Sequence, residues 1–512
     1  MTAQTAPENL KISVIVPVYN PGPFIDDLIS SLLRQTMAAD EFEAIFVDDG
    51  STDGTGARLD EVAAEHDHIK VVHIPNSGWP SRPRNIGIGH ARGEYVQFAD
   101  NDDWFGDEAL HRLYTYAKEN DADVVIGKMT GVNRSVPREL FRKNHPDATF
   151  ANSPLIDSLT PHKMYRRSFL LEHDLRFPEG KRRLEDHVFV TAANFAAKRI
   201  SVLSDYTCYY HVGRPDASNA GFQRFDPAGY FGNLREALDI VDAHTEPGAL
   251  RDKLHRRWLR VEIVGRLTGK RFLSAPADWN TDFFREARTV VTERFAPGVA
   301  AGLPAMQRAT AALLVQDRPD AVRELAEWDA GLKAQATAEA EGSPLRITAT
   351  GELHTPAGPL AFVHTADGLD AIRTPVADLD PALLDVTKRL KSARMDIVAR
   401  RRGSAEECFL PVETTTERVE LPDGGFRTVH SAVAVVTPDA LNSGRNAGTW
   451  DLKVRIQNCG WARDAKLPLT LYIATNGAPP SLTPPAKAPS PRPPRRSFVR
   501  RAAGKIRRML KG

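Results

Sequence analysis

The strongest constraint on the fold is an alternation in residues 11–130. Short apolar, β-branched runs end in polar or acidic clusters and are separated by stretches of helical period. Ile12-Ser-Val-Ile-Val16 reads as a buried strand that stops at Pro17. Phe24, Ile25, Leu28, Ile29, Leu32 and Leu33 then recur at the spacing of a core-facing helix. Residues 42–47 form a second predicted strand, closed by Asp48-Asp49-Gly50-Ser51, and residues 52–65 a helix with Asp53 or Thr55 as its cap. Residues 69–73 and 95–99 are the third and fourth strands, the last followed by Asp100-Asn-Asp-Asp103. This order predicts an α/β domain with a mainly parallel sheet covered by helices. Ligands of such sheets sit beyond the carboxyl ends of the strands. The clusters at residues 17–20, 48–51 and 100–103 all follow strands.

The chain is longer than one such domain. At roughly 100–200 residues per domain, 512 residues suggest about three. The α/β pattern is taken to span residues 1–221. Residues 222–344 are rich in Ala, Leu, Arg and Glu and read as a helical linker domain. Residues 345–475 show short β-like runs separated by Gly, Pro and Asp, the pattern of a β-sandwich. Its tryptophans, Trp450 and Trp461, suit core packing or sugar stacking. Residues 476–512 are a Pro-rich linker and a basic tail.

The net charge of +1 hides an asymmetry. Residues 487–512 hold ten Lys/Arg and no Asp/Glu, so residues 1–486 carry 57 basic and 66 acidic side chains, a net −9. An acidic body argues against nucleic-acid binding. In the tail Phe498, Ala502, Ile506 and Leu510 lie four apart among Arg and Lys. That pattern predicts an interfacial helix on an anionic membrane. Cys208, Cys408 and Cys459 form no CxxC and are read as reduced thiols. The first residues lack the basic-then-apolar pattern of a signal peptide, and no window approaches ~18 apolar residues. The expected location is therefore cytoplasmic, at the inner face of the plasma membrane.

Acidic clusters at strand ends suit a nucleotide-sugar. One carboxylate accepts from uracil or ribose, and an Asp-X-Asp holds Mn²⁺ or Mg²⁺ on the diphosphate through hard oxygen ligands. A single Asp-X-Asp is weak support, because acidic pairs are common on solvated loops. Here VIVPVYN, VDDGSTDGT, NSGWPSRPRNIGIGHARGEY and FADNDDW occur in that order. In order and spacing they resemble the inverting A-type glycosyltransferases of family 2, over roughly residues 11–215. The resemblance implies that Pro17 and Tyr19 line the base pocket. Asp48, alone or with Asp49, would contact uracil. Asn76 and Arg84 would flank the nucleotide, Asp100 would meet the ribose, and Asp102 would hold the metal.

Two later segments complete the implied site. Arg183-Leu-Glu-Asp-His187 precedes an apolar helix at residues 188–197. A Glu-Asp pair there could serve only as a helix cap. Family members carry their general base in such a pair, so the role falls to Asp186 with Glu185 assisting. Residues 208–218 resemble the family's flexible loop over the diphosphate. His211 would be a metal ligand or phosphate contact and Arg214 a phosphate contact.

Several of these segments also resemble poly(ribitol-phosphate) N-acetylglucosaminyltransferases of wall teichoic acid. That type places a helical linker and β-sandwiches after the catalytic domain and trimerises through the C-terminal part. The expected activity is transfer from a UDP-sugar to a hydroxyl of a cell-wall or surface glycopolymer, polyol-phosphate favoured. The alternatives are a capsule or lipid-linked saccharide as acceptor, or a non-catalytic scaffold of polymer assembly.

Overall fold

The structure is a computed structural model that describes residues 10–134, 136–214, 224–403, 407–437, 441, 447–475 and 477–483. The chain falls into two compact units. The first holds the residues up to Leu332 with Thr355–Ser392 and Glu420–Arg427; the second holds Lys333–His354, Ala393–Val419 and the residues from Thr428 onward. The basic tail and most of the Pro-rich segment lie outside the described residues.

The first unit is built on eight strands: β1 (Ile12–Val18), β2 (Phe42–Asp48), β3 (Ile69–His73), β4 (Tyr95–Phe98), β5 (Trp104–Phe105), β6 (Val124–Val132), β7 (Met164–Arg166) and β8 (Ile200–Val212). Their order is β3-β2-β1-β4-β7-β6-β8-β5. β1 is parallel to both β2 and β4, while β7 is antiparallel to β4 and β6. Every residue of β1, β2 and β4 is buried, as their Val, Ile and Phe content predicts for strands covered on both faces. The strand order reverses between β1 and β4, and this opens a crevice at their carboxyl ends.

The helices of this region are α1 (Ile25–Leu33), α2 (Thr55–Glu65), α3 (Ser81–His90), α4 (Ala109–Glu119), α5 (Arg167–Glu172) and α6 (Glu185–Ala196). The cap of α2 is Gly54 at φ 88°, and Asp53 instead accepts from the Gly22 and Thr55 amides. Leu184 at φ 64° turns the chain sharply into α6, so Glu185 and Asp186 occupy its first turn.

The linker begins with α7 (Pro227–His244), capped by the Asp226 side chain, and α8 (Ala249–Trp258). A π-turn, Leu259–Ile263, follows directly, then further helices to Gly331. The helical reading of residues 222–344 fails at its end, because Lys333–Glu341 is a strand antiparallel to Leu345–Thr355. Its Ala, Glu and Gln favour helix, but in KAQATAEAE the burial alternates with period two, and that alternation decides.

The second unit is strand-rich, as predicted. Leu345–Thr355 pairs with Gly425–Val436, and Arg394–Arg401, Gly448–Asn458 and Trp461–Ile473 form the centre of a five-stranded sheet. Trp450 and Trp461 are buried, which removes them as sugar platforms. Among the described residues no disulfide joins Cys208, Cys408 or Cys459. Among the described residues no helix is long and apolar enough to cross a membrane.

Candidate active site

The crevice beside β1 and β4 deepens into a cavity of about 800 Å³, within the ~300–1,000 Å³ of small-molecule sites. Its walls come from the ends of β1, β4 and β8, the loop before α3, the start of α6 and the linker. Of the twelve predicted site residues, eleven line it. Asp48 does not. Its carboxylate accepts from the Ser51 amide at 3.0 Å and lies 2.9 Å from His73 Nδ1. The neighbouring Asp49 is the carboxylate that faces the cavity, accepting from the amide and hydroxyl of Ser77 at 2.7 and 2.9 Å. Burial raises the Asp49 carboxyl against those hydrogen bonds. Pro17 belongs to β1, and Tyr19, half exposed, and Asn76 also line the cavity.

Asp100, Asn101, Asp102 and Asp103 leave β4 and are pinned to β8. The Tyr209 hydroxyl accepts from the Asp100 amide at 2.9 Å and donates to Asp103 at 2.7 Å. The Val212 amide donates to the other Asp103 oxygen at 2.7 Å. Residues 208–212 are thus strand rather than loop, since the Cys-Tyr-Tyr-His-Val run pairs with β5 and β6. Residues 215–218 lie outside the described residues. Burial alone would raise the Asp100 carboxyl, but His162 and Arg84 beside it hold it well below the ordinary carboxylate range. Burial, Asp103 and Asp100 push Asp102 up to about 6 against the attraction of Arg214. Arg214 Nε donates to Asp102 Oδ2 at 2.6 Å, and its guanidinium lies over Phe24.

Two overlapping sets of ligand atoms converge here, each within 4.8 Å: Asp100, Asp102 and Asp103, and Asp103, His162 and His211. His162 Nε2 is 3.0 Å from Asp100 and His211 Nδ1 is 3.2 Å from Asp103. These buried nitrogens lack a well-directed hydrogen bond among the described residues. Carboxylates crowded on orphaned imidazoles fit a divalent cation, so the donor set suits a metal. Asp103 stood in the predicted acidic cluster without a role. His162 carries no local motif, and nothing in its neighbourhood in the sequence marks it.

Across the cavity Arg84, buried in α3, links the two halves. It donates to Asp100 at 2.8 Å, and Glu185 lies 3.7 Å from its other terminal nitrogen. Asp186 follows on α6 and accepts from the His187 amide. Burial and the adjacent Glu185 push Asp186 up to about 7, opposed by Arg84. That places its proton affinity where a general base operates near neutral pH. Trp79, on the loop before α3, lines the wall with the Arg183 guanidinium 5.3 Å from its ring centre. Phe225, Tyr230, Glu262 and Arg266 bring the linker into the same cavity, a contribution the sequence reading missed.

Residues 13–206 match glycosyl transferase family 2 and residues 227–326 match the glycosyl transferase TarS linker domain. A poly(ribitol-phosphate) beta-glucosyltransferase of Bacillus spizizenii is 37% identical over 247 residues, 48% of this chain and 39% of that protein. The poly(ribitol-phosphate) beta-N-acetylglucosaminyltransferase TarS of Staphylococcus aureus is 38% identical over 260 residues, 50% of this chain and 44% of that one. The chain therefore spans less than half the length of these curated relatives. The crystal structure of S. aureus TarS 1-349 in complex with UDP-GlcNAc superposes with a TM-score of 0.54 at 30% identity, covering 62% of this chain and 90% of that one. The matched segments carry the crevice carboxylates, the Glu185-Asp186 pair and the linker wall, and on that ground the chain belongs to glycosyltransferase family 2.

Proposed function

We propose that this chain is an inverting, metal-dependent glycosyltransferase that moves a sugar from a UDP-sugar to a hydroxyl of a polyol-phosphate polymer of the cell wall. The observation that carries the reading is Arg84, shared between Asp100 on the donor side and Glu185 beside Asp186 on the acceptor side. One buried cation fixes the spacing of two groups with different tasks. Asp49, Asn76 and Tyr19 would hold the nucleoside and Asp100 the ribose. Asp186 would take the proton of the acceptor hydroxyl as its oxygen attacks the anomeric carbon. The bond from that carbon to the diphosphate breaks, and UDP departs with the electron pair. Attack from the side opposite the leaving group inverts the anomeric centre.

Asp102 with Asp100, Asp103 or His211 would hold Mn²⁺ or Mg²⁺. When bound, that ion neutralises charge on the leaving diphosphate. Arg214, bonded to Asp102, would turn toward a phosphate. The relatives named for poly(ribitol-phosphate) transfer, and the complex of one of them with UDP-GlcNAc, support this donor and acceptor class. The test is transfer from a panel of UDP-sugars to soluble poly(ribitol phosphate), with the anomeric configuration read by NMR. Mn²⁺-dependent formation of inverted product is the expected result. Full activity in EDTA refutes the metal, and retention of configuration refutes the role of Asp186.

A further inference from the structure

The linker bears a buried charge cluster that the chemistry above leaves unused. Glu262 lies in the π-turn after α8, a deformation often found at functional sites. Its carboxylate accepts from Tyr230 at 2.6 Å, Arg266 at 2.8 Å and Arg257 at 3.0 Å, and Arg266 also donates to the Tyr230 hydroxyl at 2.8 Å. Arg266 stacks on Phe225 and Tyr230. Trp258, the residue before the turn, donates its indole N–H to His187 at 3.3 Å, next to Asp186. Tyr230, Glu262 and Arg266 all line the cavity that holds Asp186.

We propose that Glu262 is a positioning residue of the catalytic centre: it fixes Tyr230 and Arg266 on the cavity wall and places a carboxylate in the cavity that holds Asp186. This rests on the reading of Asp186 as the base. The cluster is ionised by its surroundings, because burial alone would raise Glu262, yet the guanidiniums of Arg257 and Arg266 hold it low. The charged and titratable groups around Asp186 are Glu185 and His187 on its own helix, Arg183 before it, Arg84 from α3, Lys163 and Tyr165 around β7, and Glu262 with its partners Arg257 and Arg266 from the linker. Glu185 and Glu262 disfavour the ionised base and Arg84 favours it. Glu262 and its partners Arg257 and Arg266 come from the linker, so the cluster ties the proton affinity of the base to a second segment of the chain.

The test is the pH dependence of kcat/KM, whose acid limb reports the base in the free enzyme. Glu262→Gln keeps the shape and removes the charge, so the limb should move to lower pH by about half a unit or more. Glu262→Asp keeps the charge and should leave the limb in place while lowering the rate. Arg266→Gln removes the opposing cation and should move the limb upward, which keeps the test open where Glu262→Gln does not fold. Opposite shifts support the proposal. A limb that stays fixed in both neutral variants, or moves the same way in both, overturns it and leaves a purely structural cluster. A wild-type protein that transfers no sugar instead overturns the proposed function, before any variant is compared.

Discussion

Asp186 is buried in the first turn of α6 beside Glu185 and near Arg84, and its burial and these neighbours set its proton affinity. Its carboxyl is raised to about 7, so below that pH it is protonated and cannot accept the acceptor's proton. We therefore predict that kcat/KM rises with pH and levels above about 7. Asp186→Asn should lower the rate on the plateau by ~10²–10⁴ and abolish that limb. UDP affinity, measured by calorimetry, should not change, because the role proposed for Asp186 is toward the acceptor. Loss of UDP binding in this variant would contradict the assignment. At this scale the sequence was informative wherever a residue belongs to a local motif, as for Asp100 and Asp102 after β4 and Arg84 in α3. It was silent on His162 and Glu262, which reach the site from distant turns. It could not separate Asp48 from Asp49, because which neighbour turns inward depends on Ser77 and His73.

The helices and strands that hold this site depend on close backbone approach. Ser-Arg-Pro-Arg-Asn-Ile-Gly-Ile-Gly-His, with one proline and two glycines, has poor helix propensity and was not read as a helix. It forms α3 because Gly87 lets it lie against Ile15 of β1, where a Cβ would enter the Ile15 side chain. After α3, Gly93 passes the amino end of β1, where a Cβ would stand 2.5 Å from the Ser13 nitrogen and 2.6 Å from the Ile12 carbonyl carbon. The same corner holds a buried polar junction. Ser13 donates to Glu43 at 2.7 Å, the Gly93 amide donates to Ser13 at 2.8 Å, and Arg92 caps Glu43 at 2.6 Å. Backbone atoms cannot yield as side chains do, so Gly93→Ala should destabilise the first unit by about 1–3 kcal/mol, the usual cost of overpacking. Urea unfolding checks this, with an unchanged midpoint contradicting the close packing. The central strands were legible because full burial demands continuous Val, Ile and Phe. The strand at Lys333–Glu341 was not, because its composition favours helix and only its alternation reveals a sheet.

At the scale of the whole chain the dominant feature is charge separation. The net −9 of residues 1–486 would keep the body from an anionic surface, whereas the ten basic residues from Lys487 to the end favour one. Each basic side chain near an anionic membrane contributes about 1 kcal/mol, and the apolar residues Phe498, Ile506 and Leu510 would add burial in the interface. The cavity-lining residues all lie before residue 267. Truncation after Ala486 should therefore leave transfer to a soluble acceptor at the intact rate. The same truncation should abolish sedimentation with vesicles containing phosphatidylglycerol, while the intact protein binds them and is released as salt rises. Vesicles of neutral lipid should bind neither form. A truncated protein that sediments as well as the intact one would place the membrane contact elsewhere. Intact protein held equally at high salt would make the attachment apolar rather than electrostatic.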